Sequence, residues 1–167
     1  DESATVRDTA RTGLAHLLED KARYDALLLR AAELSTAEQG ELASLQTRLE
    51  AAGAFDLEHR IDEVLARLNL PRHDQEIRGM SGGERRRLDL ARVLLSAPEV
   101  LLLDEPTNHL DQGGIRFLVE TLTAWPGCVL FVSHDRDFTD AVATRILELH
   151  RGEVFSHPAP TEAYLER

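Results

Sequence analysis

The sequence has few of the features of secreted, membrane-spanning or fibrous proteins. One cysteine among 167 residues cannot form an internal disulfide, so a reducing cytoplasm is the expected compartment. The longest unbroken apolar run is Cys128–Val132, whereas a membrane helix needs roughly 18 apolar residues, so no membrane span is expected. The first residues are acidic and have no apolar stretch, so we expect no secretory signal there. Ten glycines and six prolines are ordinary usage, which excludes collagen-like, mucin-like and broadly disordered chains.

Basic side chains are also scarce. The sequence has 19 Lys and Arg residues against 30 Asp and Glu, a formal net charge of −11, and Lys21 is its only lysine. Phosphate binding requires a positive face, so a broad nucleic-acid-binding surface is not expected. The one basic cluster is Arg85-Arg86-Arg87, which is either a local contact for RNA or an ordinary solvated face of a helix.

The first 76 residues have the apolar spacing of helices. The pattern predicts three helices over about residues 6–31, 36–53 and 56–69, and Ser35 with Glu38 has the spacing of a capping box at the start of the second. The apolar stripes are Val6, Ala10, Leu14, Leu17, Tyr24, Leu28 and Ala31; then Leu42, Leu45 and Leu49; then Leu57, Ile61, Val64, Leu65 and Leu68. Stripes of this kind indicate core positions, so we expect one helical layer.

A strand pattern begins after residue 97. Two short apolar runs, residues 100–103 and Cys128–Val132, predict strands that are buried on both faces of a parallel sheet. A crossover helix between them is indicated by Ile115, Leu118, Val119 and Leu122. Function in such sheets sits at the carboxyl ends of the strands, which here are Asp104-Glu105 and Ser133-His134.

A second strand pair and a last helix complete the pattern. Residues 145–149 and 153–155 predict two strands joined by a turn at 151–152, and a helix is predicted to begin at Thr161. The sequence therefore predicts the α/β class, with a helical subdomain over residues 1–97 and part of a parallel-sheet core over residues 98–167.

The segment Met80-Ser81-Gly82-Gly83-Glu84 is the most informative one. Ser81 and Glu84 have capping-box spacing, so a helix should start here. The two glycines leave the N–H groups of the first turn uncovered, and the helix dipole adds partial positive charge. The segment is thus either an anion site suited to a phosphate or simply a capped helix start.

Two acids and a histidine follow the predicted strands. In phosphate chemistry Asp104 can hold Mg²⁺ and Glu105 can act on an attacking water. His134 follows the next strand, where its side chain can reach a terminal phosphate. The alternatives are that Asp104 and Glu105 are ordinary acids at a strand end and that His134 has a structural role.

Together these segments resemble the ABC ATPases, and specifically the ABC-F type. Residues 80–84 are similar to the signature motif, with Met for the usual Leu and Glu for the frequent Gln. Residues 100–105 are similar to the Walker B strand with its catalytic glutamate, residues 108–111 to the D-loop, and His134 to the switch histidine. The sequence Pro-Thr-Asn-His-Leu-Asp at 106–111 and the long acidic helical stretch are similar to the corresponding segments of ABC-F proteins. Those proteins carry two ABC domains and act on ribosomes.

The resemblance implies a role for each site residue. Catalysis would fall to Glu105 and His134, and Asp104 would bind Mg²⁺. The signature residues would bind ATP in trans, and these are Ser81, Gly82, Gly83 and Glu84. The D-loop would consist of Asn108, His109, Leu110 and Asp111. The implied cofactors are ATP and Mg²⁺. The implied partners are a second ABC domain, in the same polypeptide or in a homodimer, and the ribosome with its RNA.

The set of motifs is incomplete. A P-loop (Walker A) reads Gly-x-x-x-x-Gly-Lys-Ser/Thr, and Lys21 is preceded by Asp20 rather than glycine. The Q-loop glutamine and the aromatic that stacks on adenine also have no counterpart. We therefore interpret the sequence as the C-terminal part of an ABC domain, a partial P-loop NTPase fold. Residues 161–165 are similar to the start of the linker after the first of two ABC domains.

Three expectations follow from that interpretation. The chain alone should bind MgATP very weakly and should not hydrolyse it. It should also expose apolar surface and an unpaired sheet edge, which favours dimers or aggregation.

A degenerate, non-catalytic module that donates its signature face to a partner is the main alternative function. A more remote one is a serine hydrolase, because residues 79–83 match a Gly-x-Ser-x-Gly elbow, with Asp104 or Asp111 and His134 downstream.

Overall fold

Contacts along the chain define two compact units, Asp1–Ala97 and Pro98–Arg167. The computed structural model describes residues 3–70 and 73–158 of the chain. The α-helices of the first unit are α1 (Val6–Thr12), α2 (Ala15–Leu28), α3 (Thr36–Ala51), α4 (Leu57–Arg67) and α5 (Gly82–Ser96). Short 3-10 helices occur at Ala31–Glu33, Ala54–Asp56 and Ile77–Gly79. The helix predicted from Thr161 and the linker-like residues 161–165 lie outside the described residues.

The prediction of one helix over residues 6–31 is wrong. The chain breaks between α1 and α2 at Gly13, where the backbone passes close to α5: a Cβ on Gly13 would lie 2.2 Å from the carbonyl oxygen of Arg92. After the break the buried face also changes, since Leu27 is buried while Leu28 is 44% exposed. Ala31 lies in a 3-10 helix and is exposed.

The other two predicted helices are confirmed. Ser35 and Glu38 form the expected capping box at the start of α3, and Asp56 directly precedes α4. The helices bury two groups of side chains. Leu27, Leu34 and Leu45 form one cluster with Tyr24 and Leu42 between α2 and α3. Where α1, α4 and α5 contact one another, the buried residues are Val6, Ala10, Leu57, Ile61, Leu65, Leu88, Ala91, Leu94 and Leu95.

The second unit begins with the predicted strand–helix–strand arrangement. Strand β1 (Val100–Asp104) pairs in parallel with β2 (Cys128–Val132), with Val100 opposite Cys128 and Asp104 opposite Val132. Helix α6 (Gln112–Thr123) is the crossover, and α7 (Arg136–Val142) follows β2. The parallel pairing places the residues that follow both strands at the same end of the sheet.

The expectation that these strands are buried on both faces is wrong. Leu101 is 1% exposed, but the residues of the opposite face are open, with Val100 58%, Leu102 68%, Leu130 48% and Val132 59% exposed. The cause is that helices cover one face of the pleat. The ring of Phe138 in α7 contacts that of Phe131 in β2, with centroids 5.1 Å apart. Within the described part of the chain, nothing covers the other face of the sheet.

The last described element is a β-hairpin, as predicted. Strand β3 (Arg145–His150) pairs antiparallel with β4 (Glu153–Pro158), and the two form a sheet of their own. The turn residues Arg151 and Gly152 have φ of 49° and 82°. Positive φ at both central residues is the geometry of a tight hairpin turn whose twist matches the strands.

Candidate functional site

The signature segment forms a capped helix start in the first unit. Ser81 is the N-cap of α5, and its Oγ accepts a hydrogen bond of 3.3 Å from the backbone N–H of Glu84. In return, Glu84 Oε2 accepts from the Ser81 N–H at 2.8 Å and from its hydroxyl at 2.7 Å. Met80 is 7% exposed and anchors the segment in the core. The predicted capping box is therefore confirmed.

The start of α5 faces solvent. Ser81 and Gly82 are exposed, and a Cβ on Gly82 would meet nothing within 4 Å. The first N–H groups of an α-helix have no intrahelical acceptor, so the amides of Gly82 and Gly83 are available to an anion. An anion can thus approach the helix axis closely at this point.

The arginines beside the signature differ in their surroundings. Arg85 is half-buried and donates from its guanidinium to the carbonyl oxygens of Met80 and Arg78, each at 3.4 Å, so it braces the loop before the helix. Arg86 is exposed and Arg87 is half-buried. Only part of the basic cluster is therefore a solvated helix face.

Residues 73–77 tie the signature loop to the start of α1. Val6 N–H donates to the carbonyl oxygen of Gln75 at 3.0 Å, and Ile77 N–H donates to that of Ala4 at 3.1 Å. The 3-10 helix Ile77–Gly79 directly precedes Met80. A nucleophile elbow requires a strand before its serine, so this geometry removes the serine hydrolase alternative.

The predicted acids lie at the end of β1 in the second unit. Asp104 is the last residue of the strand and is exposed, on the open face of the sheet. Glu105 follows with φ of 47°, in the left-handed region, and its N–H donates to the carbonyl oxygen of Val132 at 2.8 Å. Since non-glycine residues rarely adopt this conformation, the turn at Glu105 carries backbone strain.

His134 lies directly against Glu105. Its Nε2 is 3.3 Å from Glu105 Oε1, and its backbone N–H donates to Oε2 at 3.3 Å. The histidine side chain is 96% exposed, whereas that of Glu105 is 24% exposed. The carboxylate is therefore fixed by the loop after β2, while the imidazole is open to a ligand.

The residues on either side of His134 hold its loop through hydrogen bonds that were not predicted from the sequence. The Asp135 N–H donates to Ser133 Oγ at 3.1 Å. Asp135 is the N-cap of α7, where its carboxylate accepts from the Phe138 N–H at 3.0 Å. The preference of aspartate for the N-cap position of a helix is the signal that could have found it.

The D-loop residues form consecutive turns between β1 and α6. Asn108 N–H donates to the carbonyl oxygen of Glu105, and Leu110 N–H to that of Thr107, each at 3.1 Å. His109 has φ of 67°. Asp111 is the N-cap of α6, accepting at 2.8 Å from the Gly114 N–H. Asn108 and His109 are exposed at the tip of these turns.

Asp104, Glu105, His134 and the D-loop thus belong to one unit, whereas the signature residues belong to the other. Within residues 3–70 and 73–158, no group of three or more His, Cys, Asp or Glu side chains is arranged to hold a metal ion. Mg²⁺ typically takes one or two carboxylates together with substrate phosphates and water, so the single carboxylate of Asp104 fits that ion only as part of a nucleotide complex. Of the described helices, none is long and apolar enough to cross a membrane.

The family model described as ABC transporter matches residues 6–108, which include the signature segment and β1. The match covers well over half of the chain. This chain belongs to the ABC ATPase family. Solved structures show the same fold: an ATP-binding subunit of an ABC transporter aligns over 99% of this chain and 57% of its own, with a TM-score of 0.63 at 18% identity. The RNase-L inhibitor aligns over 91% of this chain and 24% of its own, with a TM-score of 0.54 at 22% identity.

The curated relatives that this ABC chain matches include ABC-F proteins. It is 38% identical over 167 residues to the energy-dependent translational throttle protein EttA of Mycobacterium tuberculosis, covering 99% of the chain and 30% of the relative. It is 40% identical over 162 residues to the ATP-binding protein Uup of Escherichia coli, covering 96% of this chain and 25% of the relative. It is 42% identical over 144 residues to the ATP-binding protein ChvD of Rhizobium radiobacter, covering 86% of this chain and 49% of the relative. The ABC chain thus spans between a quarter and a half of these relatives.

Proposed function

We propose that this ABC-F type chain donates its signature face to ATP bound by the P-loop of a second ABC domain. The observation that carries the proposal is the exposed start of α5, where Ser81, Gly82 and Gly83 present a hydroxyl and backbone amides at a helix N-terminus. Charge-assisted hydrogen bonds from such groups stabilise phosphate oxygens. The second domain belongs either to the same polypeptide or to a second copy of the protein that contains this module.

The second unit supplies the hydrolytic groups for a nucleotide on its own side of such a pair. Glu105 acts as the general base for the attacking water, since its carboxylate still has lone pairs beyond those that the His134 contacts use. The exposed imidazole of His134 contacts the terminal phosphate. Asp104 would hold Mg²⁺, which when bound would supply positive charge to the phosphates. Asn108 and His109 contact the partner domain from the D-loop.

The absence of a P-loop motif from this sequence determines what the isolated chain does. A P-loop surrounds the phosphates with backbone amides and a lysine, and the separate carboxylate and imidazole of the second unit do not replace that grip. Glu105 and His134 therefore have no nucleotide to act on in the isolated chain. MgATP binding by the chain alone is very weak, and hydrolysis is undetectable.

The role of the whole protein follows from the same reasoning. One relative is named a translational throttle, so the protein that contains this ABC module acts on ribosomes in the cytoplasm. With a net charge of −11, this chain contacts rRNA only locally, through exposed Arg86 and its neighbours. A non-catalytic module that only donates its signature face is the second candidate, and it differs in leaving Glu105 without a function.

The test is association with an ABC domain chosen for its complete P-loop. That domain carries a Gln in place of its own catalytic Glu, so that bound ATP is not hydrolysed. Titration calorimetry should show association with this chain when MgATP is present and none without nucleotide. Ser81→Ala should weaken the ATP-dependent part by about tenfold or more. Equal association with and without nucleotide, or no effect of Ser81→Ala, would contradict the proposal.

A further inference from the structure

The hydroxyl of Ser81 already forms hydrogen bonds with Glu84 in the structure. It donates its one hydrogen to Glu84 Oε2 at 2.7 Å, and its oxygen accepts from the Glu84 N–H at 3.3 Å. The same Oε2 accepts from the Ser81 N–H at 2.8 Å. A serine has a single O–H donor, so a hydroxyl that donates to Glu84 has only lone pairs left to present to a ligand.

This arrangement opposes phosphate binding at the same point. Phosphate oxygens are acceptors, so they need the hydroxyl as a donor and gain nothing from its lone pairs. The Glu84 carboxylate is also an anion in the first turn of α5, where a bound phosphate would lie. For Ser81 to donate to phosphate, its hydrogen must leave Glu84.

Glu84 has other polar neighbours that make this exchange possible. It lines a cavity of about 280 Å³ behind the start of α5, together with Asn69, Gln75 and Arg87. When the Ser81 hydroxyl turns outward, the carboxylate keeps its bond from the Ser81 N–H and stays in this polar environment. The helix therefore remains capped in both states of the hydroxyl.

We propose that Glu84 is a positioning residue that withholds the Ser81 hydroxyl from phosphate, so that ATP-dependent association must first break the hydroxyl–carboxylate bond. Glu84 thereby weakens the grip of the signature face on ATP and makes the paired state easier to leave. This inference rests on the proposed function, because it concerns the same ATP-dependent contact.

The chain contains a matched control for this proposal. At the start of α3, Ser35 donates to Glu38 Oε2 from its hydroxyl at 2.7 Å and from its N–H at 2.9 Å, and the Glu38 N–H donates back to Ser35 Oγ at 3.4 Å. Helix capping alone thus produces the same set of hydrogen bonds between serine and glutamate. Glu→Gln at either box keeps an oxygen for the serine N–H, removes the charge and weakens the hydroxyl bond.

The test measures the affinity of the chain for the MgATP-loaded, hydrolysis-deficient ABC domain described above. Charge-assisted hydrogen bonds are roughly twice as strong as neutral ones, so Glu84→Gln should tighten association by about fivefold. Glu38→Gln should leave it unchanged. Because the gain acts through the hydroxyl, Ser81→Ala and the double variant Ser81→Ala/Glu84→Gln should associate equally weakly. Both single Gln variants should lose a similar small amount of stability in thermal unfolding, because each loses the same charge-assisted bonds.

Each other outcome overturns the inference. If Glu84→Gln and Glu38→Gln associate like the unmodified chain, the carboxylate does not withhold the hydroxyl. If the double variant is tighter than Ser81→Ala by the same factor that separates Glu84→Gln from the unmodified chain, charge repulsion alone explains the gain. If the unmodified chain shows no ATP-dependent association, the proposed function itself fails.

Discussion

The imidazole Nε2 of His134 lies 3.3 Å from Oε1 of Glu105, and the backbone N–H of His134 donates to the other oxygen of that carboxylate. Two elements that are separated along the chain, the end of β1 and the loop after β2, thus position one acid. The Glu105 backbone is in the left-handed region, with φ of 47°. Under the proposed function, the pair acts on a nucleotide on its own side of an ABC pair.

Ser81→Ala and Glu105→Gln should therefore affect different reactions. In a mixture with a P-loop-bearing ABC domain and MgATP, Ser81→Ala should weaken association by about tenfold or more, because it removes a donor to phosphate. Glu105→Gln in this chain should change association by less than about twofold, since the amide can still accept from the His134 N–H. Titration calorimetry measures both. An equal loss for the two variants would show that the two groups do not serve separate nucleotides.

Gly13 and Gly40 should respond in opposite directions to alanine. At Gly13 a Cβ would lie 2.2 Å from the Arg92 carbonyl oxygen, so Gly13→Ala must push α1 and α5 apart and should cost about 1–3 kcal/mol of unfolding free energy. Gly40 lies inside α3 with nothing within 4 Å of a Cβ. Gly40→Ala should therefore stabilise by about 0.5–1 kcal/mol. Urea unfolding of the two variants gives the comparison, and two shifts of the same sign would contradict the packing described for Gly13.

Removal of the Asp111 carboxylate should destabilise the second unit. Asp111 Oδ1 caps α6 through the Gly114 N–H at 2.8 Å, and loss of such a cap costs about 1 kcal/mol. Gln112→Ala is the matched control, because Gln112 is the exposed first residue of the same helix and should shift the unfolding free energy by less than about 0.5 kcal/mol. Denaturant unfolding followed by circular dichroism distinguishes them. Equal effects would mean that Asp111 acts in some way other than capping.

Acid should weaken the capping boxes. Hydrogen bonds from the Ser35 hydroxyl, and then from its N–H, lower the pKa of Glu38, and those from Thr5 likewise lower the pKa of Asp8. A carboxyl whose pKa is lower in the folded state contributes stability above its unfolded pKa and loses it as the pH falls through the folded value. The destabilisation caused by Ser35→Ala should thus be larger at pH 7 than at about pH 3. A difference between the two chains that does not change with pH would contradict this account of Glu38.

Local chemistry was predictable from the sequence, and tertiary contacts were not. The box of Ser81 and Glu84 depends only on residues three apart, so its spacing was enough to locate the start of α5. The break at Gly13 depends on the approach of α5, far along the chain, and the apolar stripe runs through it undisturbed. The open face of the sheet at Leu102 could not be predicted, because an apolar run does not show which side of a strand a helix will cover. No feature of the sequence indicates the positive φ of Glu105.

The most direct test of the central claim is equilibrium binding of MgATP to the purified chain, with the Glu105→Gln variant as a control that does not hydrolyse nucleotide. We expect no measurable binding up to about millimolar nucleotide, because no P-loop motif is present to hold the phosphates. A dissociation constant of about micromolar for either chain would contradict it, and would mean that this chain holds a nucleotide without the second ABC domain.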